Sequence, residues 1–130
     1  MIVIDASLAL DLVLVTPAAF SISARIGEAG GEIAAPELID CEVLQALRRQ
    51  LSLKQIDRRR AEEAFELYQG MPLERYPHRL VLARGWALRD NLTAYDAVYL
   101  ALAELLDAPL WTRDEKLATA PAGKGRVEVF

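Results

Sequence analysis

The sequence predicts an α/β fold in three layers, with a central, mainly parallel sheet covered by helices on both faces. Two observations carry that expectation. Short apolar runs alternate with helical patterns along the chain, as where "MIVID" is followed by "ASLALDLVLV", and strands separated by helices pair in parallel. The helical stretch "LTAYDAVYLALAELL" is also apolar on most of its circumference, which suits a helix packed on more than one side.

Taken in order, "MIVID" reads as a buried strand ending at Asp5, and "ASLALDLVLV" repeats its apolar residues at helical spacing. Thr16-Pro17 starts a second helix that runs to about Glu28, because proline is tolerated in a first turn, and "AGG" breaks it. "EIAAP" is the second strand, and Pro36 is expected in the first turn of the helix "PELIDCEVLQALRRQL". "DRRRAEEAFELYQG" is an amphipathic helix closed by Gly70. "LERYP" is a third strand, and "HRLVLARGWALRDN" reads as one helix ending at Asn91. The next helix covers Ala94–Leu106, with Thr93 and Asp96 fitting a capping box and the acid suiting the positive end of the helix dipole. "APLWTRD" is a strand, "EKLAT" a short helical turn and "RVEVF" the last strand. Neither repeat, low-complexity tract nor linker interrupts this order, so residues 1–130 are expected to form a single domain.

Composition narrows the function classes. The 130 residues are 53% hydrophobic and 26% charged, an ordinary globular mixture. Cys41 is the sole cysteine, which excludes an intrachain disulfide framework and a cysteine-based zinc motif. The apolar start has no basic region and is interrupted by Asp5 and Asp11. It is expected to be neither signal peptide nor transmembrane span, and the cytoplasm is the expected compartment. A net charge of −4 argues against a nucleic-acid binder that works by bulk charge. Contact with RNA or DNA then needs local basic patches, or metal ions that neutralise acids.

In parallel α/β sheets, ligands gather beyond the carboxyl ends of the strands. Asp5 ends the first strand and Asp114 closes "LWTRD". Asp96 lies in the first turn of a helix whose N-terminus faces the same rim. Glu42 stands about two turns into its helix, beside the apolar stripe of Ile39, Val43, Ala46 and Leu47. Carboxylates meeting there repel one another and resist ionising together. A divalent cation resolves the conflict, and Mg²⁺ or Mn²⁺ prefers such hard oxygen ligands.

"VIDAS", Glu42, "LTAYDAVYLALAE" and "TRDEKLA" resemble the acidic signatures of the PIN domain. More closely they resemble those of VapC, the toxin of bacterial and archaeal type II toxin–antitoxin pairs, over nearly the whole chain. The most specific part is "LTAYDA" followed by Thr112 and Asp114 as "TxD". The resemblance implies a Mg²⁺- or Mn²⁺-dependent endoribonuclease held inactive by a VapB-type antitoxin. It implies Asp5 and Asp96 as the principal metal ligands, Glu42 and Asp114 completing the acidic site, and Thr112 as a hydroxyl beside the last acid. A homodimer and a toxin–antitoxin hetero-oligomer are the expected assemblies, with no membrane partner.

Ser7 reads as a hydroxyl near the site or a cap of the first helix; without a nearby base it is no nucleophile. His78 is the one histidine and stands in no motif, which excludes a ribonuclease built on two histidines. Arg49 and Arg113 are candidates for contacting RNA phosphate or an antitoxin, whereas Arg48 simply suits a helix C-terminus. Arg58, Arg59 and Arg60 read as a solvated helix face, with an RNA backbone or the antitoxin as the alternative contact. Trp86, Trp111, Tyr95 and Tyr99 are expected to pack or to make dimer contacts rather than to stack on bases. Two rival classes fit less well. A haloacid-dehalogenase-like phosphatase expects a second aspartate where Ser7 stands. A receiver-like Mg²⁺-binding module expects an adjacent acid pair near the start and a lysine just after a late strand, and Lys116 follows Asp114 too loosely for that.

Overall fold

Ile2, Val3 and Ile4 are all buried, as befits β1 (Ile2–Ile4), the middle strand of a five-stranded sheet. The structure is a computed structural model and describes residues Met1–Phe130. β2 (Ile33–Pro36), β3 (Leu73–Tyr76), β4 (Leu110–Thr112) and β5 (Val127–Val129) complete the sheet in the order β3-β2-β1-β4-β5. Every strand pair is parallel, with Val3 opposite both Ala34 of β2 and Leu110 of β4. A strand flanked on both sides and covered on both faces has no solvent side, so β1 is apolar throughout rather than alternating.

The helices are α1 (Ala6–Val13), α2 (Ala19–Glu28), α3 (Leu38–Ser52), α4 (Arg58–Gln69), α5 (Leu82–Ala87), α6 (Ala94–Leu105) and α7 (Glu115–Thr119). α6 lies across β1, β2 and β4 with α5 packed against it, while α1 groups with α2, α3 and α4 in the other layer. α6 buries Ala97 and the run Tyr99–Ala103, as its apolar composition requires. No helix is long and apolar enough to cross a membrane.

Strand order fixes where a ligand belongs. β1 leads outward to β2 and β3, whereas the chain returns to β4 on the other side of β1 before continuing to β5. Successive connections therefore diverge between β1 and β4, and the crevice at their carboxyl ends is the topological switch point.

Two local expectations give way to tertiary structure. Pro36 ends β2 instead of opening α3. It stands opposite Tyr76, and the Glu37 N–H continues the ladder to the Tyr76 carbonyl at 3.0 Å. The stretch from His78 to Asn91 is not one helix: a 3₁₀ turn covers His78–Leu80, Val81 takes φ −121°, and α5 ends at Ala87. The extended φ of Val81 breaks the i→i−4 ladder, and the imidazole of His78 is committed elsewhere. Its Nε2 accepts the Leu38 N–H of α3 at 2.9 Å. α3 lacks a side-chain cap of its own, because Glu37 makes none, so the lone histidine caps that helix from a distant loop.

Candidate acidic site at the carboxyl edge of the sheet

Asp5 follows the last residue of β1 and is the N-cap of α1, with φ −96° and ψ 177°. Its Oδ1 accepts the backbone N–H groups of Ser7 at 3.0 Å and Leu8 at 3.2 Å, and also the Ser7 hydroxyl. Its Oδ2 accepts the hydroxyl of Thr112, a fully buried residue at the end of β4. The Thr112 Oγ1 in turn accepts the Asp114 N–H at 2.9 Å. The switch point is thus tied across its two central strands by one carboxylate and one hydroxyl. Burial pushes the Asp5 carboxyl above its ordinary 3.8, against the pull of the Ser7, Thr112 and Leu8 hydrogen bonds.

Asp96 lies in the first turn of α6, where Thr93 caps the helix by accepting the Asp96 N–H at 3.2 Å. Of the capping box, the half in which the Thr93 Oγ1 accepts the Asp96 N–H is the one that forms. Burial raises its pKa, the Thr93 hydroxyl opposes that, and the charges of Asp114 and Asp5 raise it further while Lys116 lowers it. Asp114 caps α7 by accepting the Lys116 N–H at 2.9 Å. Glu42 on α3 is also raised, first by burial, then against the Tyr99 hydroxyl by the charges of Asp5 and Asp96. Tyr99 donates to Glu42 Oε1 at 2.7 Å. Each of the acids expected at the rim therefore either senses another's charge or is sensed by it.

The donor set is all hard oxygen, with three carboxyls held reluctant to ionise and the Lys116 ammonium bearing on Asp96. That chemistry fits a divalent cation. No group of three acids lies close enough to form a ready-made cage for one ion. Mg²⁺ in particular is commonly held by one or two carboxylates, with water and phosphate filling the other positions.

Ser7 joins the site by a second route, its Oγ accepting the Arg113 N–H at 3.0 Å. Arg113 itself is paired through Nε with Asp11 at 2.7 Å, and Asp11 is fastened by the Thr16 hydroxyl at 2.6 Å. Arg49 is exposed on α3 and makes no ion pair. Of Trp86, Tyr95, Tyr99 and Trp111, Tyr99 and Trp111 are buried, but Trp86 is 70% and Tyr95 64% exposed, so intramolecular packing accounts for only the first two. Sequence reasoning missed Tyr99 as a neighbour of the acids and Lys116 as their nearby cation. The signal for Tyr99 was its spacing of i+3 from Asp96, which sets both on one side of α6.

Residues 2–122 match the PIN domain, and the chain belongs to the PIN-domain family. Its relatives there include proteins named Ribonuclease VapC. It is 33% identical to Ribonuclease VapC12 of Mycobacterium tuberculosis over 129 residues, 99% of this chain and 98% of that one. It is 44% identical to Ribonuclease VapC1 of the same species over 88 residues, 67% of this chain and 66% of that one. Among solved structures, VapBC2 from Rickettsia felis, bound to a DNA fragment from their promoter, superimposes with TM-score 0.72 at 14% identity, covering 99% and 98% of the two chains. A toxin–antitoxin complex from Klebsiella pneumoniae gives TM-score 0.62 at 20% identity, covering 99% and 97%. Those two likenesses concern the fold. The order β3-β2-β1-β4-β5 also differs from the 2-1-3-4-5 order of receiver-like domains, and the PIN match displaces the phosphatase reading.

Proposed function

We propose that this chain is a divalent-metal-dependent endoribonuclease, the toxin of a VapBC-type pair, folded as one domain over residues 1–130. The observation that carries the reading is the Asp5 carboxylate at the end of β1, tied to the Thr112 hydroxyl of β4 with the Asp114 N–H on the same oxygen, so that acids from β1 and from beyond β4 meet at the switch point. The charges of Asp5 and Asp96 bear on Glu42, and those of Asp114 and Asp5 on Asp96. Asp5 and Asp96 are the principal holders of a Mg²⁺ or Mn²⁺ ion, with Glu42 and Asp114 in support. When bound, such an ion lowers the pKa of its water and polarises a phosphodiester. Ser7, Thr112 and the Leu8 N–H hold the Asp5 carboxylate in one orientation, so it needs no reorganisation when substrate arrives. Lys116 supplies positive charge at the same rim, where an RNA phosphate enters. Water attacks the phosphorus and gives up a proton to solvent, and the 3′ oxygen leaves with the bonding pair and takes up a proton in turn. Arg49 and the outer nitrogens of Arg113 are candidates for RNA phosphate or the antitoxin.

The partner is a VapB-type antitoxin. Val15 and Phe20 are 69% and 86% exposed, and a groove between α1 and α4 is lined by Val13, Leu14, Val15 and Leu67 together with Asp57, Arg59, Arg60 and Glu63. A groove with an apolar floor and charged edges of both signs suits an amphipathic segment. The exposed Leu82, Trp86 and Leu105 on α5 and α6 are offered as the homodimer contact. The experiment is cleavage of cellular RNA by the purified chain with Mg²⁺, with Mn²⁺ and with EDTA, with and without the product of the neighbouring gene. Metal-dependent cutting that this product suppresses is the expected result. Cutting in EDTA, or a neighbour that neither binds nor inhibits, overturns the corresponding half of the reading.

A further inference from the structure

Tyr99 is a tyrosine where packing alone asks for phenylalanine. It is 2% exposed and lies in α6 among buried Ala97, Leu100, Ala101, Leu102 and Ala103. A buried hydroxyl needs a partner. The one it has is the carboxylate of Glu42, 57 residues away on α3. Tyr99 follows Asp96 by three residues on the same helix, so α6 carries one acid of the site and grips a second through Tyr99. Burial works against the charged form of Glu42 and the donated hydroxyl works for it.

We infer that Tyr99 is a positioning residue: it ties Glu42 Oε1 to α6, so that the acid is held in register with Asp96 and turns its free Oε2 to the cation or its water. Hydrogen-bond partners of this kind orient carboxylate ligands and set metal affinity without touching the metal. The inference rests on the reading of the acidic site as a cation site.

The test is Tyr99→Phe, which keeps the ring and removes only the hydroxyl. Mn²⁺ binding is followed by thermal shift and by calorimetry without RNA, beside Glu42→Ala and the double variant. In EDTA, Tyr99→Phe is expected to fold and melt cooperatively. Its half-saturating Mn²⁺ concentration is expected to rise by about 10- to 100-fold, Glu42→Ala to rise at least as far, and the double variant no further than Glu42→Ala alone. RNA cleavage by Tyr99→Phe should recover as Mn²⁺ is raised. Parental Mn²⁺ affinity in Tyr99→Phe, an equal further loss in the Glu42→Ala background, or a Tyr99→Phe protein unfolded in EDTA would each overturn the inference. A parent with no Mn²⁺-dependent shift overturns the cation site beneath it instead.

Discussion

Asp5→Asn separates what Asp5 does for the fold from what it does for a cation. Asparagine retains Oδ1, so the N-cap bonds from Ser7 and Leu8 and the Ser7 hydroxyl bond persist, and Asn caps helices as well as Asp. The change falls on Oδ2, which becomes an amide donor facing the Thr112 hydroxyl. Thr112 Oγ1 already accepts the Asp114 N–H; it can accept the amide as well, but its own proton then loses its acceptor in a fully buried place. An unsatisfied buried donor costs about 1–3 kcal/mol. Against this, the variant no longer carries a charge that burial disfavours. The two effects oppose each other, so metal-free Asp5→Asn is expected within about 1 kcal/mol of the parent, a shift of roughly 3–5 °C at this chain length. Asp5→Ala loses the cap as well, at about 1 kcal/mol, and should melt below Asp5→Asn. With Mn²⁺ at 100 times its dissociation constant the parent gains about 2.7 kcal/mol, while Asp5→Asn gains far less and cleaves no RNA. The assay is thermal melting of the three proteins in EDTA and in Mn²⁺, with RNA cleavage alongside. Asp5→Asn melting as low as Asp5→Ala would refute the retained cap, and parental cleavage by Asp5→Asn would refute the cation site.

Three further outcomes are expected. Glu42 has a folded pKa raised above its ordinary 4.5, first by burial, so its stabilising contribution is complete below that value and is lost as pH rises through the folded pKa; in EDTA, the parent should lose stability relative to Glu42→Gln as pH rises from about 4 to 8, and a flat difference would contradict the raised value. Val15 has φ 50° while 69% exposed, a left-handed conformation that costs a residue with a Cβ on the order of 1–2 kcal/mol. Val15→Gly should therefore raise the denaturation midpoint by about 1 kcal/mol of stability, and a lowered midpoint would show the strain to be absent. His78→Ala removes the acceptor for the Leu38 N–H and should cost about 1 kcal/mol. His78→Gln, which keeps an acceptor, should recover most of that in urea melts, and an Ala variant as stable as the parent would deny the cap any weight.

The alternation of apolar runs and helical periods by itself determined the layered parallel fold, because period and composition report how many sides of an element are buried. The positions of the candidate acids were legible for a related reason. Asp5 and Asp114 stand beyond strand ends and Asp96 at a helix start, positions that parallel topology gathers at one rim. What sequence left undecided was every partnership across the layers. Tyr99 reads locally as one more apolar residue of α6, and its bond to Glu42 exists only because the fold brings the side chains of these two residues, 57 apart in sequence, together. His78 belongs to no motif, and its role depends on β3 delivering it beside the start of α3. Arg113 reads as a free cation, yet Asp11, 102 residues earlier, holds its Nε. Pro36 suits a first helical turn by local preference, but pairing with β3 claims it for the sheet. Periodicity encodes which face of an element is covered. The identity of the group covering it follows from crossing angles and strand order, which are properties of the packed whole and leave no trace in a local window.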